Sequence, residues 1–331
     1  MAIDDAGIAH VAATTKQGIA YWTNESGTWA RQPIGLPSDD GASDRSPAIA
    51  VSDSGDIVVA YERSSCSPVG CGGAHVFVTF RTPSGWSSPA LVAEGITPSL
   101  ATRDGVIGVV YRAIEGFSDI ACEEPVPIDY AVLSGGSWVI ERVTENGWDG
   151  LLTYGPGASP HVVLSNLCGF LGEAGLYLAV SGDSGSSFTL EPIPGTSQEN
   201  NRAYAVAVDD SGRTHLLYVD YDDDDNGQSF YTVRDPGGWA TRLEPLPGRA
   251  VRWMAVDGAG HMDVVGQDAE GAWHATNRSG AITFDHVLSD FVGYIDAAVA
   301  LDAAGRPHVL LRMDPSAGGS PAIWYGIQTA L

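Results

Sequence analysis

The chain has 331 residues and a formal net charge of −24, with Lys16 its single lysine against 16 arginines. So acidic a surface repels polyphosphate and anionic lipid headgroups, which excludes nucleic acid and membrane surfaces as partners. No apolar run reaches the about 18 residues of a membrane span.

A short unit recurs along the whole chain. Its clearest copy is Ala203 to Leu246. AYAVAV reads as a strand, and Asp209-Asp210-Ser211-Gly212 as a tight turn. HLLYVD is a second strand, FYTVRD a third, and ATRLEPL a fourth after Pro236-Gly237-Gly238. The glycine that closes the first turn marks each unit: Gly7, Gly55, Gly105, Gly157, Gly212, Gly260 and Gly305. Their spacings run from 45 (Gly260 to Gly305) to 55 (Gly157 to Gly212). Seven four-stranded units at that period predict an all-β, seven-bladed β-propeller of antiparallel blades. One such unit cannot bury both faces alone, so neighbours must stack into a ring.

In chain order the blades are 1–36, 44–95, 96–146, 148–195, 201–247, 250–289 and 294–331, in one domain. Blade one starts at its own first strand, where Ala2–Gly7 aligns with Ala300–Gly305. Blade seven ends in AIWYGIQTAL, which aligns with a third strand, and no fourth follows. The expectation is therefore a three-stranded last blade and no shared-blade clasp. The ring would close by packing blade seven on blade one, leaving an exposed outer edge.

The turns between third and fourth strands place an aromatic just after glycine: Trp29, Trp86, Trp138, Phe188 and Trp239. These are read as packing residues that fill the space between blades. One of the turns, Ser181-Gly182-Asp183-Ser184-Gly185-Ser186-Ser187-Phe188, matches Ser-x-Asp-x-Gly-x-Ser/Thr-aromatic. It resembles the Asp box of the sialidase-like, BNR-repeat propeller superfamily. The resemblance covers the chain as architecture and eight residues as motif. It implies a structural turn away from the active face.

The long loops divide from the tight turns. Ser64–Gly73, Ala113–Pro127, Ser165–Ala174, Tyr221–Gln228 and Asp314–Ser320 would all lie on the face opposite the tight turns, here called the top. Loops held by a rigid scaffold are where function concentrates. Four of these loops carry further signals. Cys66 and Cys71 share one loop, while Cys122 and Cys168 occupy equivalent loops of neighbouring blades. Two disulfides, Cys66–Cys71 and Cys122–Cys168, are expected, and with them an oxidising, secreted or periplasmic setting. A zinc site is the rival, without the paired Cys-x-x-Cys spacing such sites use. No leader precedes the first blade. Asp222, Asp224 and Asn226 open a D-x-D-x-N-G pattern like a calcium loop, but Val233 stands where a bidentate Glu belongs. Calcium is the one cofactor the sequence suggests, against a solvated acidic loop.

Arginines gather at the top. Arg45, Arg202 and Arg252 fall at the starts of inner strands; Arg63, Arg112 and Arg312 fall where second strands exit. Asp44, Glu62, Asp149 and Asp296 lie at comparable positions and can pair with them. One reading is a set of arginine–carboxylate braces around the channel mouth. The other is a ligand site for a carboxylated or polyhydroxylated molecule, with Trp148, Tyr204 and Trp253 as stacking faces. The sialidase resemblance implies three arginines holding a carboxylate here, but that family's tyrosine–glutamate pair has no match. His10, His161, His215 and His308 recur near the starts of second strands and are read as a structural slot.

Two functions follow. The first is a non-catalytic, monomeric module that binds a glycan or a protein on its top face. The second is a sugar-active hydrolase or lyase with Asp149 or Asp296 as acid or base. The latter needs two carboxylates about 5 to 10 Å apart.

Overall fold

In a computed structural model, the structure describes residues 1–35, 42–67, 70–114, 126–166, 174–196, 201–221, 227–239, 244–246, 250–289, 293–315 and 322–327. It is a ring of seven antiparallel sheets, each taken in simple meander order. The first strand of each is innermost: Ala2–Ile3, Ala42–Val51, Ile96–Arg103, Asp149–Tyr154, Asn201–Val208, Ala250–Val256 and Gly293–Leu301. Blade seven has three strands, Gly293–Leu301, Pro307–Pro315 and Ala322–Ile327. Ala2–Ile3 pairs with Ala9–Thr15 of its own blade. Among the described residues no strand is shared between the ends of the chain, as the alignment of the terminal units requires.

The repeat is built on its first turn. All seven marker glycines take positive φ, from 70° at Gly157 to 88° at Gly260. That backbone is the one a tight turn needs and an L side chain resists. In blades one, five, six and seven the preceding aspartate accepts two amide N–H groups across the turn; Asp302 Oδ1, for instance, accepts from Ala304 and Arg306 at 2.9 Å each. The recurrent histidines are tied into the same turns. His215 bonds Tyr231 Oη at 2.7 Å and Asp209 at 3.1 Å. His10 repeats this with Tyr21 and Asp4, and His308 with Tyr325 and Asp302. His161 instead reaches Thr214 of the next blade. These contacts are the structural slot that the spacing predicts.

The turn aromatics pack on the blade before their own. Trp86 meets Tyr21 edge to face at 5.0 Å, Phe188 meets Tyr130 at 5.7 Å and Trp29 meets Tyr325 at 5.2 Å. Trp138 and Trp239 join the clusters shared with blades two and four. Six hydrophobic clusters result, each spanning one pair of neighbouring blades from one–two through six–seven. Between blades seven and one the described residues form no such cluster. A cavity of about 820 Å³ lies there instead. Among the described residues the expected face-to-face packing at the closure is limited to the lower rim, around Trp29 and Tyr325, and to the inner strands Ala2–Ile3 and Gly293–Leu301.

One top loop differs from its reading. Residues 64–73 are not irregular: Ile57–Ser67 and Gly70–Thr82 run on as one long hairpin. Its backbone register sets Cys66 opposite Cys71. The side chains of Cys66 and Cys71 lie outside the described residues, as do Cys122, Cys168, Asp222, Asp224 and Asn226 entirely.

Candidate functional site

Four of the seven inner strands are broken at the same height. The register slips between Arg45 and Ala48, between Ile96 and Ser99, between Ala203 and Ala205, and between Val251 and Trp253. The inner strands of blades four and seven run without a slip. In blades two and three the cause is visible in the sequence. Ser46-Pro47 and Thr97-Pro98 place a proline, which cannot donate to a ladder, inside a strand. Ser46 and Thr97 respond with φ of 53° and 50°, a left-handed backbone for residues that carry a Cβ. Each costs about 1–2 kcal/mol against an ordinary strand. Such strain clusters at functional sites, and bulges re-aim side chains there. Here they turn Thr97, Tyr204 and Trp253 toward the channel.

A cavity of about 700 Å³ occupies that channel. Its upper rim carries Ser46, Pro47, Thr97, Asp149, Tyr204 and Trp253; below, alanine, valine and leucine line it. Asp149 is the focus. Thr97 Oγ1 donates to its Oδ1 at 3.3 Å. Thr97 N–H donates to Glu62 Oε2 at 3.2 Å, and Glu62 Oε1 receives Arg45 Nε at 2.8 Å. A chain of polar contacts thus runs Arg45–Glu62–Thr97–Asp149 across blades two, three and four. Burial pushes the Asp149 carboxyl above its usual range, while Arg112, Thr97 and Arg202 pull against that. The net effect is a carboxyl that holds its proton to higher pH than a free one.

Aromatic rings frame the group. Arg112 lies over the Trp148 ring at 4.2 Å, and Arg202 over Tyr221 at 5.8 Å. Tyr204 and Tyr221 share a hydroxyl–hydroxyl hydrogen bond of 2.7 Å. These cation–π contacts place both guanidinium groups over aromatic rings.

The sequence-derived set therefore divides. Arg112, Trp148, Asp149, Arg202 and Tyr204 gather around one carboxylate, with Arg45 linked through Glu62. Trp253, Asp296 and Arg312 line the cavity between blades seven and one, and Trp253 also lines the central one. The Arg252 side chain lies outside the described residues; its position is the extra residue of the blade-six bulge. Asp44 is buried beside Arg63 at 3.5 Å, directly across the ladder between the first two strands of blade two, a brace within that blade rather than part of the mouth. Sequence reasoning missed Thr97 and Ser46. The signal was there: a residue before proline, inside an otherwise apolar strand.

The architecture is that of a seven-bladed propeller with a polar, aromatic-rimmed mouth on its bulged side. No family model matches the chain, and no curated protein matches it. Solved structures do. An ulvan lyase, a polysaccharide lyase solved with GlcA(1-4)Rha3S bound, superposes with a TM-score of 0.57 at 13% identity, over 98% of this chain and 90% of that one. The leech intramolecular trans-sialidase gives 0.58 at 10% identity, over 90% and 70%. The α-L-arabinofuranosidase of Fusarium graminearum gives 0.55 at 11% identity, over 88% and 94%. At such identities the likeness establishes the propeller fold. Among the described residues, no helix is long and apolar enough to cross a membrane.

Proposed function

We propose that this protein is an exported, glycan-directed propeller that holds a carboxylate-bearing sugar in the channel mouth. The observation that carries the reading is the grouping of Asp149, Arg112 and Arg202 with Thr97, whose backbone is left-handed, and Tyr204, which sits at a bulge. Arg112 and Arg202 supply planar forks suited to a sugar carboxylate. Tyr204 and Trp253 offer faces to the apolar side of a pyranose ring. The carbohydrate-active neighbours, one with a uronate-containing ligand, support this chemistry by analogy of fold. Export rests on the Cys66–Cys71 and Cys122–Cys168 pairings, which remain proposals.

A second reading has its own support. Asp149 is pushed upward by burial, as a general acid must be. In a hydrolase it would donate its proton to the leaving glycosidic oxygen as water adds at the anomeric carbon. In a lyase the ionised carboxylate would take the proton from the carbon beside the uronate carboxylate as the 4-oxygen leaves and a C4–C5 double bond forms, with Arg202 holding that carboxylate. Isothermal titration of galacturonate and galactose separates the sugars by charge alone. Binding of galacturonate but not galactose, lost in Arg202→Gln, is expected. Equal binding of both, or of neither, overturns the proposal. Turnover of oligogalacturonate by the wild type and not by Asp149→Asn would establish the enzyme reading over plain binding.

A further inference from the structure

The seam between blades seven and one is the one blade interface that the described residues leave open. Its walls are well formed. Blade one contributes Trp22, Trp29 and Arg31, and blade seven contributes Arg312, Ile323 and Tyr325, around about 820 Å³. In the other interfaces the turn aromatics Trp86, Trp138, Phe188 and Trp239 are partly buried against the clusters. Here Trp29 remains 42% exposed and Ile323 67%. Water against so much apolar surface is unfavourable unless something occupies the space.

The charge of the seam runs against that of the molecule. Among the described lining residues the charged side chains are Arg31, Arg312 and Asp296, the last directly across the ladder from Arg312, in a chain of net charge −24. Arg31 lies over the Trp22 ring at 5.7 Å and reaches Gln17 Oε1 at 3.4 Å. Gln17 sits on the turn that also bears Lys16, the single lysine. Aromatic faces beside guanidinium groups suit a molecule with apolar ring faces and carboxylates.

The seam is also continuous with the mouth. Pro47 and Trp253 line both cavities, and Trp253 is 43% exposed between them. A ligand that fills the mouth can therefore extend sideways through the ring wall. Each cavity falls in the about 300–1,000 Å³ range of ordinary ligand pockets. Together they call for a chain of sugar rings rather than one.

We infer that the open seam is an extended subsite for a linear, uronate-bearing polysaccharide whose one unit occupies the channel mouth. The inference rests on the mouth reading and assigns the polymer length to a separate set of residues. The test is titration calorimetry with galacturonate oligomers, from monosaccharide to hexasaccharide. It uses wild type, Arg31→Gln, Trp29→Leu and, as the mouth control, Arg202→Gln.

Affinity should rise with chain length in the wild type. Arg31→Gln should weaken the hexasaccharide by roughly tenfold or more and leave the monosaccharide unchanged. Trp29→Leu should act alike, and Arg31→Gln guards against its altering the packing on Tyr325. If affinity is flat with length, or indifferent to Arg31, the seam assignment is wrong while the mouth stands. If no oligomer binds, the mouth reading fails and takes this one with it. A dimer in sedimentation that Arg31→Gln dissolves would give the seam to a second copy and overturn the proposal.

Discussion

Blades three and four meet differently from blades seven and one. At the first interface Val110, Ile128, Tyr130, Leu152 and Leu164 form one buried cluster. The fit is close enough that a Cβ at Gly108 would lie 2.0 Å from Tyr154 Oη, and one at Gly150 2.5 Å from Val110. Below, Arg103 of blade three reaches the Tyr154 carbonyl of blade four and Asp210 of blade five, both at 3.1 Å. At the second interface the described residues touch at the lower rim through Trp29 and Tyr325 and along the inner strands Ala2–Ile3 and Gly293–Leu301, and a cavity lies between. Among the described residues the ring is thus an arc of six clustered interfaces and one slot, and the slot meets the mouth.

The contrast has a direct mechanical test. Leu164→Ala, fully buried in the three–four cluster, should lower unfolding free energy by about 2–5 kcal/mol in denaturant titrations. Ile323→Ala, in the seam, should change it by about 0.5 kcal/mol or less. Comparable losses at both sites would mean that the seam is packed after all.

The contrast was only half legible in the sequence. The seven units follow from glycine spacing, because a tight turn demands positive φ whatever surrounds it, and the three-stranded last blade follows from aligning the chain's last described strand with a third strand. The aromatics after Gly27, Gly85 and Gly185 announce packing for the same local reason. The seam is not local. The residues that make it, Trp22 and Arg31 against Arg312 and Ile323, lie nearly the whole chain apart. Their separation depends on how the ring closes, which no period records. The mouth falls between the two cases. Its arginines and Asp149 could be aligned by blade, but Thr97 as the link between Glu62 and Asp149 depends on a bulge that only the Pro98 signal foreshadows.

The turns beneath the ring predict a pH response on the packed side. Burial raises Asp302, but hydrogen bonds from Arg306 and His308 outweigh it and hold the carboxyl down at about 2. Its stabilisation is full above the free value of 3.8 and is lost as pH falls through about 2. Burial, with Arg234 adding, lowers His161 from 6.5 to about 4. Stability linked to His161 is therefore full above pH 6.5 and declines toward pH 4. Asp302→Asn should lose about 1–3 kcal/mol at neutral pH. Thermal melts should show its acid limb flattened below pH 3.8. His161→Gln should remove the slope between 6.5 and 4 instead. An unchanged acid limb in both variants would contradict these assignments.

At the mouth, Asp149→Asn should leave the fold intact and relieve a buried charge. Melting temperature should hold or rise, while any sugar turnover is abolished and its dependence on carboxyl protonation disappears. A drop in stability would recast Asp149 as a brace. The smallest effect is expected at Arg45. Its half-exposed guanidinium is already bound to Glu62, so Arg45→Gln should cost about 1 kcal/mol or less in stability and little in affinity. A large loss of affinity would move Arg45 from the brace into the ligand clamp.

The central claim is that the sugar sits beside Asp149. A crystal structure with a galacturonate oligomer bound tests it most directly. The account predicts a carboxylate between Arg112 and Arg202, a ring against Tyr204 or Trp253, and further units running past Pro47 into the seam. Sugar density on any other surface, with the mouth and the seam both empty, would contradict it.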